Sequence, residues 1–427
     1  MLSPIRFALL SWSLCAGLFG GMARADLDVD ITKGVHGATP IAVVPFAQSG
    51  LSANLGGIVA ADLGRSGHFS PLPESSMTER PVPPQSVNFH TWQALGQDYL
   101  VIGRVNPVGS RYEAEFYLFD AIKGTVLLSQ KLPFDAPEAR HTAHRIADLI
   151  YQQLTGQRGA FNTRVAYVAV YGGPTGRVYH LLVADTDGQD PQPVISSPEP
   201  IMSPAWSPDG KRIAYVSFEN KASAIFVQDL ATGSRQKVSD ARGINGAPAW
   251  SPDGSRLALT LSKGGSPDIY VMDVGSRSLQ QITNEVSIDT EPNWSPDGRT
   301  LVFTSDRGGK PQLYTVPASG GAAQRLTYEG DYNARGVFSP DGRSIAMVHG
   351  KGGDYRIALM DLRGHTLKVL TQGRFDESPG FAPNGSMILY THKEGGVDRL
   401  AAVSLDGKNH QALNVQGGQV REPAWSP

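Results

Sequence analysis

The stretch WSPDGKRIAYVS, residues 206–217, decides how this chain is read. It returns as WSPDGSRLALTL from Trp250 and as WSPDGRTLVFTS from Trp294. Altered or shortened copies begin at Phe338 (FSPDG), Phe381 (FAPNG) and Trp425 (WSP), so successive spacings are 44, 44, 44, 43 and 44 residues. A period in the forties carried by short β-rich runs is the signature of propeller blades, each of four strands. The turn explains its own residues. Pro presets φ at the second position, Asp can bond its own backbone, and Gly closes the turn at the fourth. The aromatic just before it reads as a packing residue between neighbouring blades rather than as a ligand platform.

Each turn is followed by a strand (RIAYVS, RLALTL, TLVFTS, SIAMVH, SMILYT) and then by a second one (AIFVQDL, DIYVMDV, QLYTVPA, RIALMDL, RLAAVSL). A short outer strand such as RQKVS or LKVLT completes the unit. These runs are β-branched and bounded by Gly, Asp and Asn. The ends of the array fix the count. RVAYVAV (164–170), VYHLLVAD (178–185) and PQPVI (191–195) form three strands with no innermost partner, and REPAWSP at the C-terminus can supply it. The ring then closes with six blades and leaves no open sheet edge.

Residues 26 to about 160 do not repeat. IAVVPF reads as a buried strand, LSANLGGIVAADLGRSG (51–67) as a helix and HFSPLP as a short strand. The Pro- and Ser-rich run 73–88 reads as a loop. DYLVIGRV, YEAEFYLFD and TVLLSQKLPF add three strands, the last two joined through AIKG. A second helix starts with Asp135 as N-cap and Pro137 in its first turn, and its apolar stripe is Ala143, Ile146, Ala147, Ile150 and Leu154. The expected fold is therefore mainly β: a C-terminal six-bladed propeller closed by the C-terminal strand, plus a smaller N-terminal α/β domain. The expected divisions are a signal peptide at 1–25, an arm at 26–38, the α/β domain at 39–160 and the propeller at 161–427.

The first residues read as an address. MLSPIR precedes the apolar FALLSWSLCAGLFGG, and Ala23-Arg24-Ala25 is an A-x-A cleavage site. Removing 1–25 takes away the chain's one Cys, Cys15, and shifts the formal charge from −2 to −4. The exported product holds together without disulfides. Its near-balanced charge gives no field to attract nucleic acid, and no later stop-transfer run suggests membrane insertion.

Catalytic patterns do not stand out: there is no GxSxG elbow, HExxH, Walker A or EF-hand run. His141 and His144 share a helix face, but no third ligand suggests itself, so they read as exposed helix histidines. Asp209, Asp253, Asp297 and Asp341 read as turn formers, each within its own SPDG. No cofactor or metal is expected.

The sequence resembles the TolB family of the Tol-Pal system. The resemblance spans essentially the whole exported chain. It rests on the A-x-A signal, GVHGATPIAVVPF, the junction LTGQRGAFNTRVAYV (154–168) and the ordered run GAPAWSPDG, TEPNWSPDG, FAPNG and REPAWSP. It implies a non-enzymatic periplasmic scaffold, monomeric, supporting outer-membrane integrity and constriction at division. It implies that the propeller mouth binds the lipoprotein Pal and that the N-terminal arm binds the C-terminal domain of TolA, other envelope proteins being further possible partners. The loops entering each innermost strand (EPIMSP, INGAPA, IDTEPN, YNARGV, DESPG, VREPA) ring one mouth and read as polar. Carried over by motif, the contact residues there are Asn245, Ala247, Thr290 and Glu291. By loop position they are joined by Ile244, Asp331, Asn333, Arg335, Glu377 and Glu422, against the plainer reading of strand caps. The arm comprises Asp26, Leu27, Asp28, Val29, Asp30, Ile31, Thr32 and Lys33. Its Leu27, Val29 and Ile31 fall at period two and suit addition to a partner's sheet, or an edge strand on its own domain. It is more acidic than the family's arm. Two competing readings are a channel receptor for a glycan or small ligand, and a propeller hydrolase using Glu291 and Glu422.

Overall fold

A computed structural model describes residues 27–31, 37–48, 50–173, 176–415 and 418–427. The expected signal peptide and the arm residues Asp26, Thr32 and Lys33 lie outside the described residues. Among the described residues no helix is long and apolar enough to cross a membrane.

The N-terminal domain is one five-stranded sheet with helices against it. Its strands are β2 (Thr39–Val43), β3 (Phe69–Pro71), β4 (Tyr99–Val108), β5 (Arg111–Asp120) and β6 (Thr125–Phe134), in the order β3-β2-β4-β5-β6. Pairing is parallel around β2 and antiparallel from β4 to β6. Helices α1 (Leu55–Arg65) and α3 (Ala139–Thr155) bury Leu55, Val59, Ile146 and Ile150 against it. The α3 entry is a capping box, Asp135 with Glu138, around a short 3-10 turn holding Pro137. A short helix α2 (Phe89–Ala94), which the sequence reading did not include, buries Trp92 on the opposite sheet face.

The propeller has six blades, each with four strands of its own. The innermost strands are Ile201–Trp206, Asn245–Trp250, Asp289–Trp294, Tyr332–Phe338, Asp376–Phe381 and Gln419–Trp425, here numbered as blades 1 to 6. Gln419–Trp425 pairs antiparallel with Arg164–Tyr171, with Trp425 opposite Val165. The backbone of Ser426 and Arg164 seals this join with a 2.8 Å hydrogen bond.

The repeated turn builds the ring. Ser207 Oγ donates to Asp209 Oδ1 at 2.5 Å, and the backbone N–H of Lys211 donates to the same oxygen at 3.1 Å. Equivalent bonds recur at Asp253, Asp297 and Asp341, and Asn384 accepts the corresponding N–H in blade 5. The Ser hydroxyl bond lowers the Asp253 carboxyl to about 2. The Gly of each turn sits at φ of 67–72°, where a side chain is strained. Pro208 lies against Gly254, Pro252 against Gly298, Pro296 against Gly342 and Pro340 against Gly385, while Pro427 reaches Gly210 across the closure.

The slot aromatics are blade wedges. Trp206, Trp250, Trp294 and Phe381 are buried, and Trp425 and Phe338 partly so. Trp206 Nε1 donates to the Ala424 carbonyl at 2.9 Å and Trp294 Nε1 to the Ala249 carbonyl at 3.0 Å, each across a blade boundary. An Arg from the neighbouring blade caps three of these rings: Arg164 over Trp206, Arg212 over Trp250 and Arg256 over Trp294, at 5.1, 4.6 and 4.7 Å from the ring centroids.

The arm strand β1 (Leu27–Ile31) is neither free nor packed on its own domain. It adds a fifth strand to the outer edge of blade 5, antiparallel to His410–Val415, with Leu27 opposite Val415 and Ile31 opposite Gln411.

Candidate docking site at the propeller mouth

The site begins with a backbone device. Each innermost strand carries a register shift near its third residue. At that bulge sits a non-Gly residue at positive φ: Ser203 (49°), Ala247 (44°), Glu291 (56°), Arg335 (52°), Ser378 (56°) and Glu422 (53°). A left-handed non-Gly residue costs about 1–2 kcal/mol, so six in register mark a feature the ring maintains. Bulges re-aim side chains, and all six residues line one central cavity of about 790 Å³.

Within that ring the charged residues are tied to one another. Glu291 Oε1 accepts from Arg335 Nε at 2.7 Å. Its Oε2 accepts from the Arg335 N–H at 3.1 Å and from Thr304 Oγ1 at 3.0 Å. Arg335 reaches on to Ser378 Oγ in the next blade. Burial works against the Arg335 charge, but Glu291, Glu422 and Glu377 outweigh it and hold its pKa above the ordinary guanidinium range. Glu422 Oε2 accepts from the Ser203 N–H at 2.5 Å, repeating across the closure what Glu291 does to Arg335. Both oxygens of Glu291 and one of Glu422 are therefore engaged in joining blades.

The ten mouth residues singled out from the sequence divide into three groups. Ala247, Glu291, Arg335 and Glu422 form the bulge ring. Asn245 and Asn333 are buried, 1% and 0% exposed, so they do not present a contact surface. Asn245 accepts from Ser239 Oγ at 2.6 Å and the Ala241 N–H at 3.0 Å while donating to the Ala241 carbonyl at 2.7 Å, which staples its loop. Asn333 donates to Gln312 Oε1 and the Glu329 carbonyl and bonds His349. Asp289 and Asp376 fill the equivalent buried position, held by Arg307 at 2.7 Å and His392 at 2.6 Å. The third group stays nearer solvent: Ile244, Asp331 and Glu377 are exposed, and Thr290 is half-buried beside Thr260. Asp331 is paired with Lys310 at 2.7 Å.

The mouth is less polar than its loop text suggests. Ile244 and Ile288 are 50% exposed, Phe375 50%, Tyr328 73% and Val286 96%. All five stand on the loops that enter the innermost strands of blades 2 to 5. Only Ile244 was singled out from the sequence. The others sit one to four residues before the strand, in TNEVSID, TYEGD and GRFD, where an apolar residue in a polar loop was the available signal. Exposed apolar side chains thus stand on four of the loops that lead into the charge-locked ring.

The TolB beta propeller domain family matches residues 151–427 and the TolB amino-terminal domain family residues 27–127. The chain belongs to the TolB family. It is 66% identical over 422 residues to the Tol-Pal system protein TolB of Methylococcus capsulatus, covering 98% of this chain and 99% of the relative. It is 56% identical over 407 residues to that of Nitrosococcus oceani, covering 94% of each chain. The crystal structure of TolB from Acinetobacter baumannii superposes with a TM-score of 0.87 at 42% identity, covering 94% of this chain and 100% of that one. The TolB assignment thus spans both domains and the closure between blades 6 and 1.

Proposed function

We propose that this TolB-family chain is a periplasmic scaffold of the Tol-Pal system that docks the lipoprotein Pal on the mouth formed by blades 2 to 5. The observation that carries this reading is the group of exposed apolar side chains on the entry loops there. Apolar anchors surrounded by polar residues are where docking energy concentrates, and Ile244, Tyr328 and Phe375 are the anchors. Asp331, Glu377 and Thr290 provide the polar rim. The bulge ring, locked by Glu291 and Arg335, holds the loops in register and so limits the ordering cost on binding. The arm is the second docking element, for the C-terminal domain of TolA. It already pairs as a strand, so its backbone is suited to adding to another sheet. On this chain the partner must first displace it from His410–Val415. The two contacts together would support outer-membrane integrity and constriction at division.

The test is a pull-down with purified Pal and purified TolA domain. Tyr328→Ala with Phe375→Ala should lose Pal capture by at least tenfold and keep TolA capture. Deleting 26–37 should lose TolA. Unchanged Pal binding by the double variant, or TolA capture without the arm, sinks the corresponding half.

A further inference from the structure

Of the two helix histidines expected to be exposed, His141 is exposed and His144 is not. His144 is 1% exposed, in the seam where α3 meets the outer turn of blade 6, and two carboxylates from the propeller face it. Its Nδ1 lies 2.7 Å from Asp62 Oδ2 on α1. Its Nε2 has no hydrogen-bond partner among the described residues. That nitrogen points at Asp185 Oδ2, 3.6 Å away, and at Asp187 Oδ2, 3.9 Å away. Both separations are too long for a hydrogen bond.

A buried lone pair facing two carboxylate oxygens repels them. A cation shared by Nε2 and the two oxygens removes that repulsion, and a divalent metal ion is one that all three can ligate. We infer that His144, Asp185 and Asp187 form a zinc-class cation site that bridges the two domains. The three ligand atoms lie within 4.8 Å of one another. The His–Asp separations of 3.6 and 3.9 Å are shorter than two metal–ligand bonds of about 2.0–2.1 Å laid end to end. Asp62 accepting from Nδ1–H directs the lone pair to Nε2, the carboxylate–histidine arrangement that orients metal-bound imidazoles. One imidazole and two carboxylates favour zinc over calcium or magnesium, which take oxygen ligands alone.

Arg140 is the built-in competitor. Its Nε and Nη2 bond the same two oxygens, Asp185 Oδ2 at 3.1 Å and Asp187 Oδ2 at 2.5 Å. It is 28% exposed, so its guanidinium can swing towards solvent once an ion neutralises the two carboxylates. Because His144 belongs to the α/β domain and both aspartates to the propeller, an ion here ties the domains together.

The experiment is calorimetric titration of the chelator-treated full chain with zinc chloride alone, beside calcium and magnesium controls. One zinc per chain should bind, with a rise in Tm. Asp187→Asn and His144→Phe should each weaken binding at least tenfold, Asp62→Asn about tenfold to a hundredfold, and Arg140→Gln should tighten it. If His144→Phe does not fold, Asp187→Asn and Arg140→Gln decide alone. No zinc uptake by the wild type overturns the site. So does uptake that survives Asp187→Asn, uptake that Arg140→Gln weakens, or preference for calcium.

Discussion

Trp294 and Trp250 hold the same slot in adjacent blades, but they are not bonded alike. Trp294 Nε1 reaches the Ala249 carbonyl, whereas Trp250 Nε1 is buried without a hydrogen-bond partner among the described residues. Both rings carry an Arg cap. Replacing either with Phe keeps most of the wedge but loses indole area. Only Trp294→Phe also removes an interblade hydrogen bond, which adds about 1 kcal/mol. Urea unfolding should therefore find Trp294→Phe less stable than Trp250→Phe by roughly that amount. Equal losses would mean that the interblade hydrogen bond contributes nothing. The pattern of caps was readable in the repeat: Arg164, Arg212 and Arg256 open the strand facing each Trp, while Thr300 and Ser344 hold that place before Phe338 and Phe381. The bulge residues were not readable as strained. Nothing in Ala247 or Arg335 announces positive φ, because the register of the next strand imposes it.

Among elements, the entry loop of blade 5 carries a pH-dependent staple. His392 Nδ1 lies 2.6 Å from Asp376 Oδ1, and the Asp376 bond raises the His392 pKa against the cost of burial. Glu394 reinforces that rise and Arg399 opposes it. The folded value lies above the unfolded value near 6.5. The stability this pair adds is thus fully present below about 6.5 and is lost as pH rises through the folded pKa. With His392 partly solvated, the gain is about 1 kcal/mol or less. Stability measured from pH 5 to 9 should fall more steeply for the wild type than for His392→Phe over that window. Parallel curves would assign the staple no charge. The element-level strands were legible because period-two patterning and turn residues agree along each blade. Helix α2 was missed because six residues in a Pro-rich neighbourhood give no period, and Trp92 is recognised as core only when the sheet it covers is present.

For the whole molecule, the join between the last strand and Arg164–Tyr171 is what makes the array a ring. Residues 419–427 contribute the Trp206 Nε1 acceptor at Ala424, the Glu422 bond to Ser203 and the Pro427 contact with Gly210. Removing them opens two blade faces at once and leaves an unpaired edge. The truncated chain should lose its single cooperative melting transition and self-associate on light scattering. A sharp transition at the wild-type Tm would mean that closure is dispensable. The interdomain seam is also a property at this scale. Gln411 reaches the Arg65 carbonyl, Asn384 donates to the Arg158 carbonyl at 2.9 Å, and Arg140 spans to Asp185 and Asp187.

By itself the sequence determined the blade count, the closing strand, the turn chemistry and the separate α/β domain. Those follow from local rules repeated at a fixed interval, where one turn and one periodicity suffice. The tertiary structure alone decided three things. The arm lies on the edge of blade 5 rather than on its own domain, because edge pairing is backbone chemistry that no side-chain pattern encodes. Asn245 and Asn333 turn inward as loop staples while Val286, Tyr328 and Phe375 turn outward, because loop direction is set by neighbouring blades. His144 meets Asp185 and Asp187, some forty residues away in the chain, only because two domains pack together. Contacts between distant segments leave no period behind, so each of these had to be seen in three dimensions.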